Sequence, residues 1–283
     1  LEFRRVLFRS LVAHIEGGEV SGTIDESIRH AVTKLSHIHF VSNEEARNRL
    51  LQMGETESSI FVIGSADIEI MQSKNLPLIK RVKKHYGITF KDYAIMIFHP
   101  VTTELDSLKK QIQEITNAVI ETKKDYVVIY PNNDAGSEII LNEIRKLESN
   151  VRFKIFPSIR FQYFLTLLKH SSFIIGNSSA GVREAEVYGV PTINIGSRQN
   201  NRTKNKNIIN INANKNEILK AVNSIKTIQL RPQSHFGGKT DTSKSFLKIL
   251  KSDKVWKISK QKQFVDMSEL RNSNKFRKNK RQR

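Results

Sequence analysis

The chain of 283 residues has no cysteine, a single tryptophan and six prolines. Without cysteine there is no disulfide framework, no thiolate metal site and no cysteine nucleophile. No apolar run approaches the roughly 20 residues of a membrane-spanning helix. No segment joins a basic start, an apolar core and a small-residue cleavage site, as a secretory signal does. A cytoplasmic protein with no membrane partner is expected. Negative charge is also scarce: 28 Asp and Glu stand against 47 Lys and Arg, a formal net charge of +19. Such an excess invites a nucleic-acid reading, but its distribution weakens it. The last sixteen residues, Ser268 to Arg283, hold +6 and the first ten hold +2. The rest is spread over lysines in the manner of a solvated surface, so no nucleic-acid partner is expected.

What is present is an alternation of short β-rich runs with amphipathic helical patterns, which implies parallel sheets covered by helices on both faces. Leu11–Ile15 reads as a strand, Asp25–Leu35 as a helix capped by Asp25 with Ile28, Val32 and Leu35 on one face, and His37–Val41 as a strand. Ser42 reads as the cap of a helix over Asn43–Met53, and Ile60–Ile63 as a strand. A second cycle begins with the apolar run Tyr93–Phe98 and the long helical pattern Leu105–Glu121. It continues through strands at Tyr126–Tyr130, Val151–Phe156, Phe173–Ile175, Thr192–Ile195 and Ile208–Ile211, with helices between them, among them Ala180–Tyr188. The fold class is therefore α/β with two Rossmann-like domains. The first, 11–86, is incomplete in strand count; the second, 87–266, carries the final helices. Residues 1–10 have no strand or helix period and read as an adapter-like segment foreign to the fold. Residues 267–283 have the composition of a basic, disordered tail.

Two segments concentrate chemistry. His14-Ile-Glu-Gly-Gly-Glu19 ends a strand in a glycine turn, and Asp25 and Glu26 open the next helix. Paired carboxylates in unlike surroundings can divide acid and base roles. A metal reading of His14, Glu16 and His30 is weaker, because none stands at a usual ligand spacing. The second segment, Gly176-Asn-Ser-Ser-Ala-Gly-Val-Arg-Glu-Ala185, follows a strand and opens a helical pattern. Its small residues let backbone N–H groups approach an anion. Ser178, Ser179 and Gly181 are candidates for phosphate binding, and Glu184 for ribose hydroxyls. Further loops at predicted strand ends bring in His99, Asn133 and Arg160, and the loop 197–202 adds Arg198 and Arg202, either for phosphates or as a solvated basic turn.

Taken together, His14–Gly18, Thr23–His30, Lys34–Asn43 and Gly176–Ala185 resemble the hydrolysing branch of the UDP-N-acetylglucosamine 2-epimerase family, and the likeness runs from about Leu11 to Asp266. The resemblance implies a glycosyltransferase-B-like architecture with the active site in a cleft. It implies conversion of UDP-N-acetylglucosamine and water to N-acetylmannosamine and UDP, by loss of UDP followed by hydration, for sialic- or legionaminic-type acids. It assigns Glu16, Asp25 and Glu26 to acid–base work, His99 to the diphosphate, and Ser178, Ser179 and Glu184 to UDP. It implies no cofactor, no metal and a homo-oligomer. Family members carry a Gly-rich, Arg-containing first loop and a Gly-Asp-Arg segment upstream, both absent from this sequence, so an inactive piece of a longer enzyme is expected. Two alternatives stay open: a UDP-sugar glycosyltransferase of the same architecture, and an epimerase of UDP-2,4-diacetamido-trideoxyhexoses.

Overall fold

Nine strands of three or four residues form two separate sheets, both wholly parallel, in a computed structural model that describes residues 10–20, 24–199, 208–225 and 241–266. The chain divides into two compact units, residues 1–69 with 235–283, and residues 70–234.

In the first unit β1 (Ala13–Ile15), β2 (Ile38–Val41) and β3 (Ile60–Val62) lie in the order β1-β2-β3. Helices α1 (Ile24–Leu35) and α2 (Glu44–Gln52) connect them, as parallel neighbours require a crossover. Alternation along β2 sends Ile38 and Phe40 to one face and Val41 to the other. Val41 packs with Ala46 and Leu50 of α2. Ile38 and Phe40 pack with Ile63 and Val255, and against Phe246, Ile249 and Leu250. These last residues belong to α10 (Thr242–Leu250) and the single-turn α11 (Asp253–Trp256). The terminal helices, which the sequence pattern attached to the second domain, thus cover one face of the first sheet. The rings of Phe40 and Phe246 meet edge-on at 4.8 Å.

Two local expectations differ. Asn43, not Ser42, caps α2, its side chain accepting from the Ala46 N–H at 2.8 Å. Asp25 lies inside the first turn of α1 rather than at its cap. The apolar stripe of α1 is also not in a core: Ile28 is 55% exposed, and Val32 and Leu35 are exposed with it. That helix follows the edge strand β1 and buries Thr33 instead.

At the N-terminal edge of the first sheet a charged knot holds residues distant in sequence. Glu55, 1% exposed, accepts from His39 Nε2 at 2.9 Å, Lys34 Nζ at 3.0 Å and Lys262 Nζ at 2.6 Å. Lys262 also donates to the carbonyls of Thr33 and Ser36, and the carbonyl of Lys260 lies 2.8 Å from His37 Nε2. Burial would raise the Glu55 pKa; the hydrogen bonds from His39, Lys262 and Lys34 outweigh it and bring it down to about 2.

The second unit holds α3's end (helix Ala66–Gln72), α4 (Ile79–Tyr86) and six strands. These are β4 (Ala94–Ile97), β5 (Tyr126–Ile129), β6 (Phe153–Phe156), β7 (Ile174–Gly176), β8 (Thr192–Ile195) and β9 (Ile208–Ile211). Their order is β6-β5-β4-β7-β8-β9, which is the doubly wound dinucleotide-fold order, reversing direction between β4 and β7. Helices α5 (Leu105–Glu121), α6 (Ser137–Arg145) and α9 (Lys215–Ser224) bury Leu108, Ile112, Ile115, Ile140, Ile144, Ile218 and Val222 against one face. On the opposite side α7 (Phe161–Lys169) buries Leu165, Leu167 and Leu168. No described helix is long and apolar enough to cross a membrane.

Glu55 is buried with His39, while Lys34 and Lys262 reach it from partly exposed positions, so its removal leaves chiefly the buried His39 without its partner. Glu55→Ala is expected to cost about 1–3 kcal/mol in urea unfolding, whereas Lys262→Met, on a partly exposed partner, costs clearly less.

Candidate functional site

In a parallel sheet the side chains that reach a ligand come from loops at the carboxyl ends of the strands. In the second sheet the reversal point lies between β4 and β7, so the loops after these two strands are the first to inspect. They are joined directly. Gly176 ends β7 with φ +132°, and a Cβ there would stand 1.8 Å from the carbonyl oxygen of Ile97. Only glycine permits that approach. Asn177, fully buried, then reaches across to His99: its Oδ1 accepts from the His99 N–H at 2.7 Å and its Nδ2 donates to the His99 carbonyl at 2.8 Å.

The imidazole of His99 is itself oriented. Its Nδ1 accepts from the Asn132 backbone N–H at 3.0 Å, which puts the ring proton on Nε2. Burial, reinforced by the Arg198 guanidinium, lowers its pKa from 6.5 to about 4. His99 is therefore a neutral donor at physiological pH. Arg198 reaches the same turn, its Nη1 donating to the Asn177 carbonyl at 3.3 Å, and Gln199 Nε2 donates to that oxygen at 2.8 Å.

Ser178 and Ser179 follow, both half-buried. The helix expected over Ala180–Tyr188 is split: Ser179–Gly181 form a 3-10 turn capped by Ser178, and α8 spans only Glu184–Tyr188. The break has a packing cause. Gly181 is buried, a Cβ on it would stand 2.7 Å from Thr192 Cγ2, and its carbonyl accepts from Thr192 Oγ1 at 2.6 Å. Its small size answers to β8 and needs no ligand. Glu184 opens α8, half-buried. Asn133 is exposed in the loop after β5. Arg160 is exposed in the loop after β6, with its N–H donating to the Tyr86 hydroxyl at 3.2 Å. Arg202 lies outside the described residues, as does the glycine turn near 235–238.

At the carboxyl edge of the first sheet, Glu16 directly follows β1 with φ +61°, a left-handed conformation costly for a residue with a Cβ. Its N–H donates to the Phe40 carbonyl at 2.8 Å. Its Oε1 accepts from Ser65 Oγ at 3.0 Å. Gly18 is required by Ala46, whose carbonyl oxygen would stand 2.4 Å from a Cβ. Arg49 Nη1 donates to the Gly18 carbonyl, Arg29 Nη1 to the Glu19 carbonyl, and Ser42 Oγ to the Glu19 carboxylate. His14, two residues before Glu16, pairs with Thr33 Oγ1 at 3.1 Å. Burial, then His39 and Arg29, lower its pKa to about 4. Asp25 and Glu26 stand in the first turn of α1; Asp25 is exposed and Glu26 lies 3.8 Å from His30 Nε2. No cluster of three or more His, Asp or Glu arranged to hold a metal occurs among the described residues. From sequence Ser42 reads only as a helix cap and Asn177 only as a member of the Gly176–Ala185 segment, and Ser65 has no site role. Each reads there as an ordinary turn or cap residue, and only the sheet order shows what it touches.

The profile of the UDP-N-acetylglucosamine 2-epimerase family matches residues 6–251. The chain is 46% identical over 261 residues to a Neisseria meningitidis UDP-N-acetylglucosamine 2-epimerase, covering 91% of this chain and 69% of that protein. It is 35% identical over 243 residues to a Legionella pneumophila UDP-N,N'-diacetylbacillosamine 2-epimerase (hydrolyzing), covering 85% of this chain and 64% of that protein. The chain thus spans about two thirds of the length of these relatives. In fold it is similar to the crystal structure of the Methanocaldococcus jannaschii UDP-GlcNAc 2-epimerase in complex with UDP-GlcNAc and UDP. The TM-score is 0.69 at 24% identity, over 85% of this chain and 68% of that one. A doubly wound second sheet with its glycine turn at the reversal point, a carboxylate loop ending the first strand, and this extent of identity place the chain in the UDP-N-acetylglucosamine 2-epimerase family.

Proposed function

We propose that these residues serve a hydrolysing UDP-N-acetylglucosamine 2-epimerase, which turns UDP-N-acetylglucosamine and water into N-acetylmannosamine and UDP. The observation that carries the reading is the neutral His99 clamped by Asn177 beside the Ser178–Ser179 turn, at the reversal point of the second sheet. A departing diphosphate needs donors at such a point and no base that would compete for its protons.

The route is an elimination followed by a hydration. A carboxylate takes the proton from carbon 2, the C1–C2 double bond forms, and the bond from carbon 1 to the diphosphate oxygen breaks with its electron pair. UDP leaves and a glycal remains. Water then adds through oxygen at carbon 1, and a proton returns to carbon 2 from the opposite face. Both steps are redox-neutral. Glu16 is the carboxylate best suited to the proton, and Asp25 and Glu26 supply the acid side of the hydration. His99 Nε2–H, the Ser178 and Ser179 hydroxyls, and Arg198 face the diphosphate, with Asn133 and Arg160 as further contacts from the same edge and Glu184 for the ribose; Arg202 is carried as a further candidate from the sequence alone. The product would enter synthesis of sialic- or legionaminic-type acids in the cytoplasm. A second reading, a UDP-2,4-diacetamido-trideoxyhexose as substrate, is favoured by the identity to the Legionella relative; competition between the two UDP-sugars separates them.

Calorimetry with UDP provides the first test. Ser178→Ala with Ser179→Ala is expected to weaken binding at least tenfold, about 1.4 kcal/mol, and an unchanged affinity would sink the phosphate assignment. In a protein carrying these residues that turns over UDP-N-acetylglucosamine, Glu16→Gln is expected to lower UDP release by a factor of about 100 or more; turnover near wild type would remove Glu16 from the chemistry. His99 also sets a pH window. Its folded pKa of about 4 lies below its ordinary 6.5, so the unfolded chain binds the proton first. Stability is full above pH 6.5 and falls as the pH drops towards 4, by up to roughly 3 kcal/mol. His14 acts over the same window, so denaturation midpoints between pH 7 and 4 should fall less steeply in His99→Gln than in wild type.

A further inference from the structure

Resting on Glu16 as the proton-accepting carboxylate, we infer that Ser65 is the positioning residue that aims it. Three observations meet here. Glu16 carries a left-handed backbone, φ +61°, so its side chain leaves the strand end in a direction that an extended residue would not give. Sheet order places β2 between β1 and β3, yet the Glu16 carboxylate accepts from a residue just past β3: Ser65 Oγ, at 3.0 Å. The side chain therefore lies across the carboxyl end of β2 and is tied down on its far side. Ser65 itself has nowhere else to go. It is 2% exposed; Gly64 before it turns with φ +92°, and the Ile63 N–H continues the ladder to the Val41 carbonyl at 2.9 Å.

The loop after β2 repeats the device. Ser42, equally buried, donates to the carboxylate of Glu19. Two buried serines at neighbouring strand ends thus hold the two carboxylates of one glycine loop. The Arg49 and Arg29 donations to the Gly18 and Glu19 carbonyls fix the backbone between them. A hydroxyl donating to a carboxylate makes a charge-assisted bond, and preorganisation of this kind holds a reacting group at its working angle. Ser65 touches Glu16 and acts through it.

The test reads the contact itself. In the whole chain labelled with 13C at the glutamate carboxyl carbons, the Glu16 resonance is assigned by its loss in Glu16→Gln. In Ser65→Ala it is expected to move beyond its linewidth while the other glutamate resonances stay, and in Ser65→Thr, which keeps the hydroxyl, to return towards the wild-type position. Ser65→Cys, nearly isosteric and a weak donor, gives the same displacement without opening space should the alanine variant fail to fold. A Glu16 resonance that stays in place in a folded Ser65→Ala or Ser65→Cys protein would overturn the assignment. Failure of the catalytic reading is a separate result, turnover by Glu16→Gln, so the two failures are distinguishable.

Discussion

The close approach of two backbones at Gly176 is the constraint on which the meeting of loops at the carboxyl edge of the second sheet depends. With the Ile97 carbonyl oxygen 1.8 Å from where any Cβ would sit, the end of β7 can lie against the end of β4 only because the position is glycine. That contact brings Asn177 within reach of both backbone groups of His99. It also exposes the Asn177 carbonyl to Arg198 and Gln199 from the loop after β8. One missing side chain thus lets three loops converge, and both the Oδ1 and the Nδ2 of Asn177 bond to the scaffold.

The first unit solves a comparable problem with the opposite charge. Its loop must hold carboxylates rather than anion-binding donors, and carboxylates repel. Spacing them on a loop of tight glycines, with separate hydroxyl donors for Glu16 and Glu19, keeps each in its own place. Among the described residues the other edge of that sheet carries no comparable loop. There Glu55 is consumed by Lys34, His39 and Lys262, and the knot anchors Lys260 and Lys262. The carboxylates at one edge are half-buried and each is held by a serine hydroxyl, whereas the carboxylate at the other is buried in an ion-pair cluster.

How much of this was legible in the sequence follows from what each feature depends on. Helix Leu105–Glu121 and strands Thr192–Ile195 and Ile208–Ile211 have the bounds that their periodicity predicts, because a long amphipathic stripe or a continuous apolar run is a local property. The helix over Ala180–Tyr188 was not legible as two pieces, since its break depends on Thr192, a residue of another strand. The same holds for α10 and α11. Their apolar faces are plain in sequence, but that Phe246 and Val255 would meet Phe40 is fixed by tertiary pairing across some two hundred positions. The stripe Ile28, Val32, Leu35 carries the converse lesson: a correct period shows which face is apolar but not what, if anything, covers it.

The sites divide along the same line. Glu16 and the Gly176–Ser179 turn were visible because glycine beside a functional group after a strand is a local signal. Ser65 was not, because a serine before a helix is read as a cap, and nothing nearby in sequence points to a partner 49 positions away. The strained backbone of Glu16 supplies what sequence lacks. A left-handed glutamate is retained against its cost only where its surroundings over-determine it, and the Phe40 carbonyl and the Ser65 hydroxyl are among the groups that do so. Residues that aim a reacting group are found by asking what holds an unfavourable conformation in place, a question put to β2 and β3 rather than to the loop itself.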